Sequence, residues 1–238
     1  MAFNIREISN LSGTLLIFVF HALKVELSLR RYPEAKLTEL SVLAAAAFEG
    51  DGFLLAAVGS DPTLNVSYHR AQMIAATMAG KIVVAEDAQD GSVVGVALWF
   101  PPGITMFASE DQDRIAFQPF ITKCPPSIQT WWNDHFLVEH PKSCQRMFGR
   151  NWFNNAWQLE LLAIAPGHQG KGIGSALVRD GQQRIFKERK LIYLDTQKEQ
   201  NQVRFYQRLG FVLRGKYEFN SNSGGFPLFC MTAARYTL

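Results

Sequence analysis

The residues best suited to chemistry lie in one run, Trp157 to Lys190, which reads WQLELLAIAPGHQGKGIGSALVRDGQQRIFKERK. Gly170, Gly172 and Gly174 stand at alternate positions, directly before a segment of helical periodicity. Glycine lets a backbone turn through positive φ and come close to a bound group. The first amides of a helix have no intrahelical partner and lie at the positive end of its dipole. Together they form a cradle for a phosphate or pyrophosphate. The alternative is a plain strand-to-helix connection. Glu160 is the second candidate, a lone carboxylate in an apolar strand, two residues from Gln158 and on the same face. Burial there raises a carboxyl pKa and suits the group to relaying a proton. Its alternative is an edge or surface carboxylate.

Three phosphate-binding patterns compete at the glycines. A kinase-type P-loop needs four residues between its first Gly and a Gly-Lys followed by Ser or Thr. Gly170-Lys171 is followed by Gly172, and no Gly stands five positions before Gly170. The dinucleotide fingerprint G-x-G-x-x-G is closer, and the next strand, Leu191 to Leu194, ends in Asp195, about where a ribose-binding acid belongs. The spacing here is G-x-G-x-G, however, and no further βα repeat follows. That pattern would make the chain a dinucleotide-binding oxidoreductase.

The third pattern fits best. Gln169-x-x-Gly172-x-Gly174 resembles the Q/R-x-x-G-x-G/A signature of the GNAT superfamily of acetyl-CoA-dependent acyltransferases. Asn201 to Phe211, NQVRFYQRLGF, resembles that family's N…FY-x-x-L-G-F segment. Leu194-Asp195-Thr196 and Phe229-Cys230-Met231 bring the likeness nearest to the branch containing puromycin N-acetyltransferase and fungal relatives. The resemblance implies an α/β (α+β) GNAT fold: a mixed central sheet of about six to seven strands, splayed at the CoA-binding strand and flanked by helices.

The resemblance also implies site roles. Backbone amides of Gln169, Gly170, Lys171, Gly172, Ile173, Gly174 and Ser175 would hold the pyrophosphate, with Lys171 adding charge. The backbone of Leu162, Ala163 and Ile164 would pair with the pantetheine arm, which fills the gap before the Leu191 strand. Asn201 would contact the same arm. Tyr206 matches the tyrosine that can protonate the departing sulfur; the alternative is a core tyrosine. Glu160 would be the general base for an amine acceptor. Cys230 is a conceivable acyl-carrying nucleophile, but the family transfers directly in a ternary complex. The implied co-substrate is acetyl-CoA, with no metal. The implied acceptor is a small-molecule amine, and a catalytically idle CoA-binding protein is the competing class.

These residues must be positioned by the rest of the chain. Val25 to Tyr32 alternates apolar and polar residues, as a half-buried strand does. Helices are predicted over Lys36 to Phe48 and Leu64 to Ala79, the latter stopped by Gly80. KIVVAE, 81–86, and SVVGVALWF, 92–100, read as strands joined by a turn at Asp90-Gly91. Residues 104–156 form a long, mostly irregular stretch rich in aromatics, with one or two short helices such as Ser127 to Val138. It reads as an insertion that either roofs an acceptor pocket or is only a structural cap. His135 and His140 lie in it, and no metal-ligand spacing is visible. After the central unit come a short helix, 200–209, and strands near 211–219 and 228–232. Residues 1–24 read as an extension before a single domain of 25–238.

Composition excludes several classes. At 47% hydrophobic and 19% charged, the 238 residues suit a globular chain with a sizeable core. Net charge is only +3 and the basic residues are scattered, so no nucleic-acid partner is expected. LSGTLLIFVFHAL, 11–23, is too short for a membrane span, and no membrane partner is expected. Three widely spaced cysteines suggest a reducing, cytoplasmic setting. The oligomeric state expected is monomer or homodimer.

Overall fold

The computed structural model describes residues 3–8, 33–150, 152–197 and 199–234. The strand expected at Val25 to Tyr32 and the apolar run 11–23 lie outside them. Among the described residues, seven strands form one open mixed sheet in the order β1-β2-β3-β4-β5-β7-β6. They are β1 Phe3–Glu7, β2 Lys81–Asp87, β3 Val93–Phe100, β4 Ala156–Ile164, β5 Leu191–Thr196, β6 Val212–Phe219 and β7 Phe226–Ala233. The helices are α1 Glu34–Ala47, α2 Gly52–Val58, α3 Pro62–Ala79, α4 Glu110–Gln112, α5 Gln118–Ile121, α6 Pro126–Thr130, α7 Leu137–Phe148, α8 Ile173–Lys187 and α9 Arg204–Gln207.

Local chemistry fixes the boundaries. Asp61 caps α3 by accepting from Thr63 N at 2.8 Å, and Pro62 supplies its first turn. Asp51 caps α2 by accepting from Phe53 N at 3.1 Å. The β2–β3 hairpin closes with Gly91 at φ +73°, as the Asp-Gly pair predicts. Two results differ from expectation. Phe3–Glu7, set apart as part of an extension, pairs antiparallel with β2 and forms one edge of the sheet. The stretch expected to be mostly irregular is largely helical from Glu110 to Phe148, with π-helical turns at Asp113–Phe117 and Trp131–Phe136.

Each sheet face carries its own core. On one face α1, α2, α3 and the 110–148 helices pack around Leu40, Met73, Leu98, Phe117, Phe120 and Trp132. Trp132 donates to Ala57 O at 2.8 Å, so its buried indole is satisfied. On the other face α8 and the 199–211 segment pack on Trp99, Leu159, Leu177, Ile192 and Met231. Along α8 Ile173, Leu177, Gly181 and Ile185 are buried on one face. Gly181 meets Trp99 so closely that an added Cβ would lie 2.2 Å from the indole. None of the described helices is long and apolar enough to cross a membrane.

Candidate active site

The site begins with how β4 is paired. One edge runs antiparallel to β3 from Gly95↔Ile164 to Phe100↔Gln158. The other runs parallel to β5 for three pairs only, ending at Gln158↔Tyr193. Beyond that point β5 follows β7, through Thr196↔Phe229, and leaves β4. A seam opens there, and backbone groups of Leu159 to Ile164 face it. The register with β3 also slips, because Leu98 opposes Leu161 while Trp99 opposes Leu159. Glu160 is the extra residue of this bulge.

The bulge sets side-chain direction. Trp157 and Leu159 enter the α8-side core, whereas Leu161 and Ala163 enter the opposite one. Glu160 points to the α3 side with Gln158, which donates to it at 2.5 Å; Gln72 of α3 donates to its other oxygen at 3.5 Å. Burial raises the Glu160 carboxyl pKa to about 8. The nearby Asp195 and Cys144 push the same way, while His140 and the Gln72 hydrogen bond oppose. The carboxyl is half-buried and stands where the seam opens.

Gln72 is itself held. Its amide donates to Tyr68 Oη at 3.1 Å, and its oxygen lies 2.7 Å from His69 Nδ1. Burial lowers the His69 pKa to about 4, so the ring is neutral and donates from Nδ1.

The glycine turn lies at the far end of β4. Gly170 and Gly172 take φ +75° and +84°, and Gly172 is the N-cap of α8. An added Cβ at either would meet open space. These glycines therefore serve backbone conformation, and the ground in front of them is open. Gln169 Nε2 donates to Ile164 O at 3.2 Å, tying the turn to the end of β4; Lys171 Nζ donates to Gly167 O at 2.7 Å. Ile173 is core, while Gly174 and Ser175 are half-buried. A Cβ at Gly174 would lie 3.7 Å from both Leu162 and Ile164 and 3.4 Å from Phe205. The turn, the seam strand and the 199–205 segment thus converge.

Asn201 is exposed on the π-helical turn Glu199–Val203. Tyr206 is buried in the α8-side core, its ring 4.9 Å from Phe205 and 5.5 Å from Phe211, and burial raises its hydroxyl pKa. Glu160 and Tyr206 therefore sit on opposite faces of the sheet and share only the seam. Leu162 and Ile164 pack partly against the α8-side core.

The α3 side holds groups that motif spacing did not bring together. His140 Nε2 lies 2.7 Å from Asp195 Oδ2, and Cys230 Sγ lies 2.7 Å from Asp195 Oδ1. Cys144 Sγ is 3.6 Å from His140 Nε2. Sequence spacing gave no metal-ligand set. The fold brings one atom each from His140, Cys144 and Asp195 within 4.8 Å of one another. The signal was present as His140-x-x-x-Cys144, one helical turn apart, in a stretch expected to be irregular. Most insertion aromatics, Trp132 and Phe120 among them, are core rather than pocket wall. The insertion's contribution near Glu160 is α7.

The profile of the Acetyltransferase (GNAT) family matches residues 58–211, more than half of the chain. The chain belongs to the GNAT acetyltransferase family. Solved structures agree in fold. A histone acetyltransferase HPA2 and related acetyltransferase from Corynebacterium glutamicum is 24% identical, covering 87% of this chain and 96% of its own, with a TM-score of 0.54. PH1933 from Pyrococcus horikoshii OT3 is 14% identical over 99% of both chains, with a TM-score of 0.53. The PaiA N-acetyltransferase from Thermoplasma acidophilum, solved with coenzyme A, is 12% identical over 98% of this chain and 99% of its own, with a TM-score of 0.50. The splayed sheet is therefore that of a GNAT acetyltransferase, a family that uses acetyl-CoA.

Proposed function

We propose that the chain is an acetyl-CoA-dependent N-acetyltransferase that acylates the amine of a small molecule by direct attack in a ternary complex. The observation that carries this reading is Glu160: a half-buried carboxyl with its pKa raised to about 8, at the mouth of the seam. An alkylammonium must lose a proton before it can attack, and a base helps most when its pKa lies near the working pH. Direct attack fits Glu160 because it needs only a base facing the acceptor side.

Acetyl-CoA, when bound, supplies an acyl thioester. The chain's residues fit it: Gly170 and Gly172 stand against open space at the N-terminus of α8, where the amides of the Gln169 to Ser175 turn would meet a pyrophosphate once the Gln169 N–H leaves Pro166 O. Backbone groups of Leu162, Ala163 and Ile164 face the seam and take the pantetheine arm, with Asn201 beside them. Lys171 leaves Gly167 O to add its charge. Glu160, steadied by Gln158 and Gln72, accepts the amine proton. Tyr206 donates a hydrogen bond to the departing sulfur from the other face. A thiol is more acidic than a phenol, about 8.5 against about 10 in simple models, so Tyr206 need not give up its proton. The tyrosine's raised pKa keeps it a donor throughout.

The acceptor is a small amine that reaches Glu160 from the α3 side; most rings of the insertion are core and do not line its path. The nearest branch on motif grounds is the puromycin acetyltransferase-like one. The setting is cytoplasmic and the chain a monomer or homodimer. A thiol-release screen with acetyl-CoA against polyamines, aminonucleosides and peptide N-termini tests the proposal. Amine-dependent release that Glu160→Gln removes supports it. Coenzyme binding with no amine-stimulated release would identify a catalytically idle binding protein, and preference for peptide N-termini would refute the small-molecule acceptor.

A further inference from the structure

Beside Glu160 lies a donor set that the acyl transfer does not use. His140 and Cys144 sit one turn apart on α7 and share a face. Asp195 comes from β5 and Cys230 from β7, both on the same side of the sheet as Glu160. Both thiols are fully buried. Cys230 reaches Asp195 Oδ1 at 2.7 Å and also hydrogen-bonds with Cys144.

A catalytic triad is the obvious alternative, and the geometry disfavours it. In a triad the histidine handles a proton at one ring nitrogen while an acid holds the other. Here Asp195 and Cys144 approach the same atom, Nε2. His140 cannot relay between them. The donor atoms of His140 and Cys144 from α7 and Asp195 from β5 instead lie within 4.8 Å of one another, and Cys230 of β7 adjoins the group through Asp195.

We propose that His140, Cys144, Asp195 and Cys230 bind a divalent cation of the zinc class, which pins the insertion helix α7 to β5 and β7. Thiolate and imidazole donors select zinc-like ions, whereas magnesium and calcium demand oxygen sets. With bonds of about 2.0–2.3 Å, a tetrahedral site has edges of about 3.3–3.8 Å. The His140–Cys144 separation of 3.6 Å already matches. The His140–Asp195 contact of 2.7 Å is a hydrogen bond that widens by less than about 1 Å when the cation replaces its proton. Cys144 and Cys230 each release a thiol proton to solvent, Asp195 binds as carboxylate and His140 as neutral imidazole through Nε2. No acyl group or coenzyme touches the cation site, but His140, Cys144 and Asp195 are also charged neighbours of the Glu160 carboxyl, so a bound cation changes the field at that group.

The test uses the full chain, reduced, stripped with chelator, exposed to zinc or cobalt and desalted. The expected result is about one retained equivalent of metal per chain, with a cobalt derivative showing thiolate-to-metal charge transfer and the intense visible bands of a four-coordinate site. Those bands should vanish or shift in Cys144→Ser and Cys230→Ser, and persist in Cys124→Ser, whose thiol lies elsewhere, against Phe120 O. Zinc should raise the melting temperature of the wild type. If the serine variants do not fold, the wild-type measurements still decide. Failure to retain stoichiometric metal, or a cobalt spectrum without thiolate charge transfer, overturns the proposal. So does a Cys144–Cys230 disulfide that forms as fast in zinc-treated protein as in stripped protein.

Discussion

Glu160→Gln separates a base from a bystander. The carboxyl pKa of about 8 means the proton-accepting form dominates only above that value. At pH 7 about a tenth of the molecules carry the carboxylate and at pH 9 about nine-tenths, so kcat/KM should rise about tenfold across that range. An alkylamine acceptor deprotonates over neighbouring pH values and would blur the result. An arylamine, already neutral there, isolates the enzyme's own limb. Glu160→Gln should remove that limb and lower turnover at pH 9 by about 10²–10⁴-fold. Stability provides an independent readout with a definite sign. The folded state holds the Glu160 proton more tightly than the unfolded chain, so the group's contribution is full below pH 4.5 and is lost as pH rises to about 8. The shift sets an upper limit of about 5 kcal/mol on that loss. The glutamine variant should therefore match the wild type in melting temperature near pH 4.5 or below and exceed it near pH 9. An arylamine profile flat from pH 6 to 9, or a variant within about threefold of wild type, would refute the reasoning.

Other outcomes follow from the seam and the α8 packing. Gly174→Asp should lower CoA affinity by at least about tenfold in calorimetry, because a carboxylate would stand beside Leu162 and Ile164 at the proposed pyrophosphate end; unchanged affinity would contradict the cradle. Tyr206→Phe should lower turnover more than cofactor affinity, and equal turnover would remove Tyr206 from the mechanism. Gly181→Ala should destabilise by about 1–3 kcal/mol in denaturant titration, since its methyl would sit 2.2 Å from Trp99 and the indole must move.

Much of the frame was legible in sequence because its signals are local. The glycine turn, α3 with its Asp61-Pro62 start, and the hairpin at Asp90-Gly91 each carry a short-range chemical reason. The 110–148 helices were not legible. Their rings, Phe117, Phe120 and Trp132 among them, are buried, and π-helical turns displace the 3.6-residue period that marks an amphipathic helix. Pro141 stands inside α7, a position where proline disfavours a helix. β1 is five residues long at a sheet edge, too short for periodicity to identify. The His140–Asp195–Cys230 grouping joins three separate segments, so no local spacing could announce it. Glu160 was recognisable as an odd carboxylate, but its pKa depends on Asp195, Cys144 and burial, none of which its own strand supplies.

The bulge explains why two successive residues share one face. A regular β4 would alternate sides without interruption, and Glu160 and Leu161 would point apart. With Glu160 inserted, it and Leu161 both face α3, while Leu162 and Ile164 turn to the α8 side. A bulge also bends and twists its strand locally. It falls just after Gln158↔Tyr193, the last β4–β5 pair, while β5 is held along five pairs by β7. The two strands thus part where β5 follows β7 and β4 follows β3. The same register slip that opens the seam aims the carboxyl at its mouth, so the proposed place for a thioester arm and the direction of the proposed base have one structural cause.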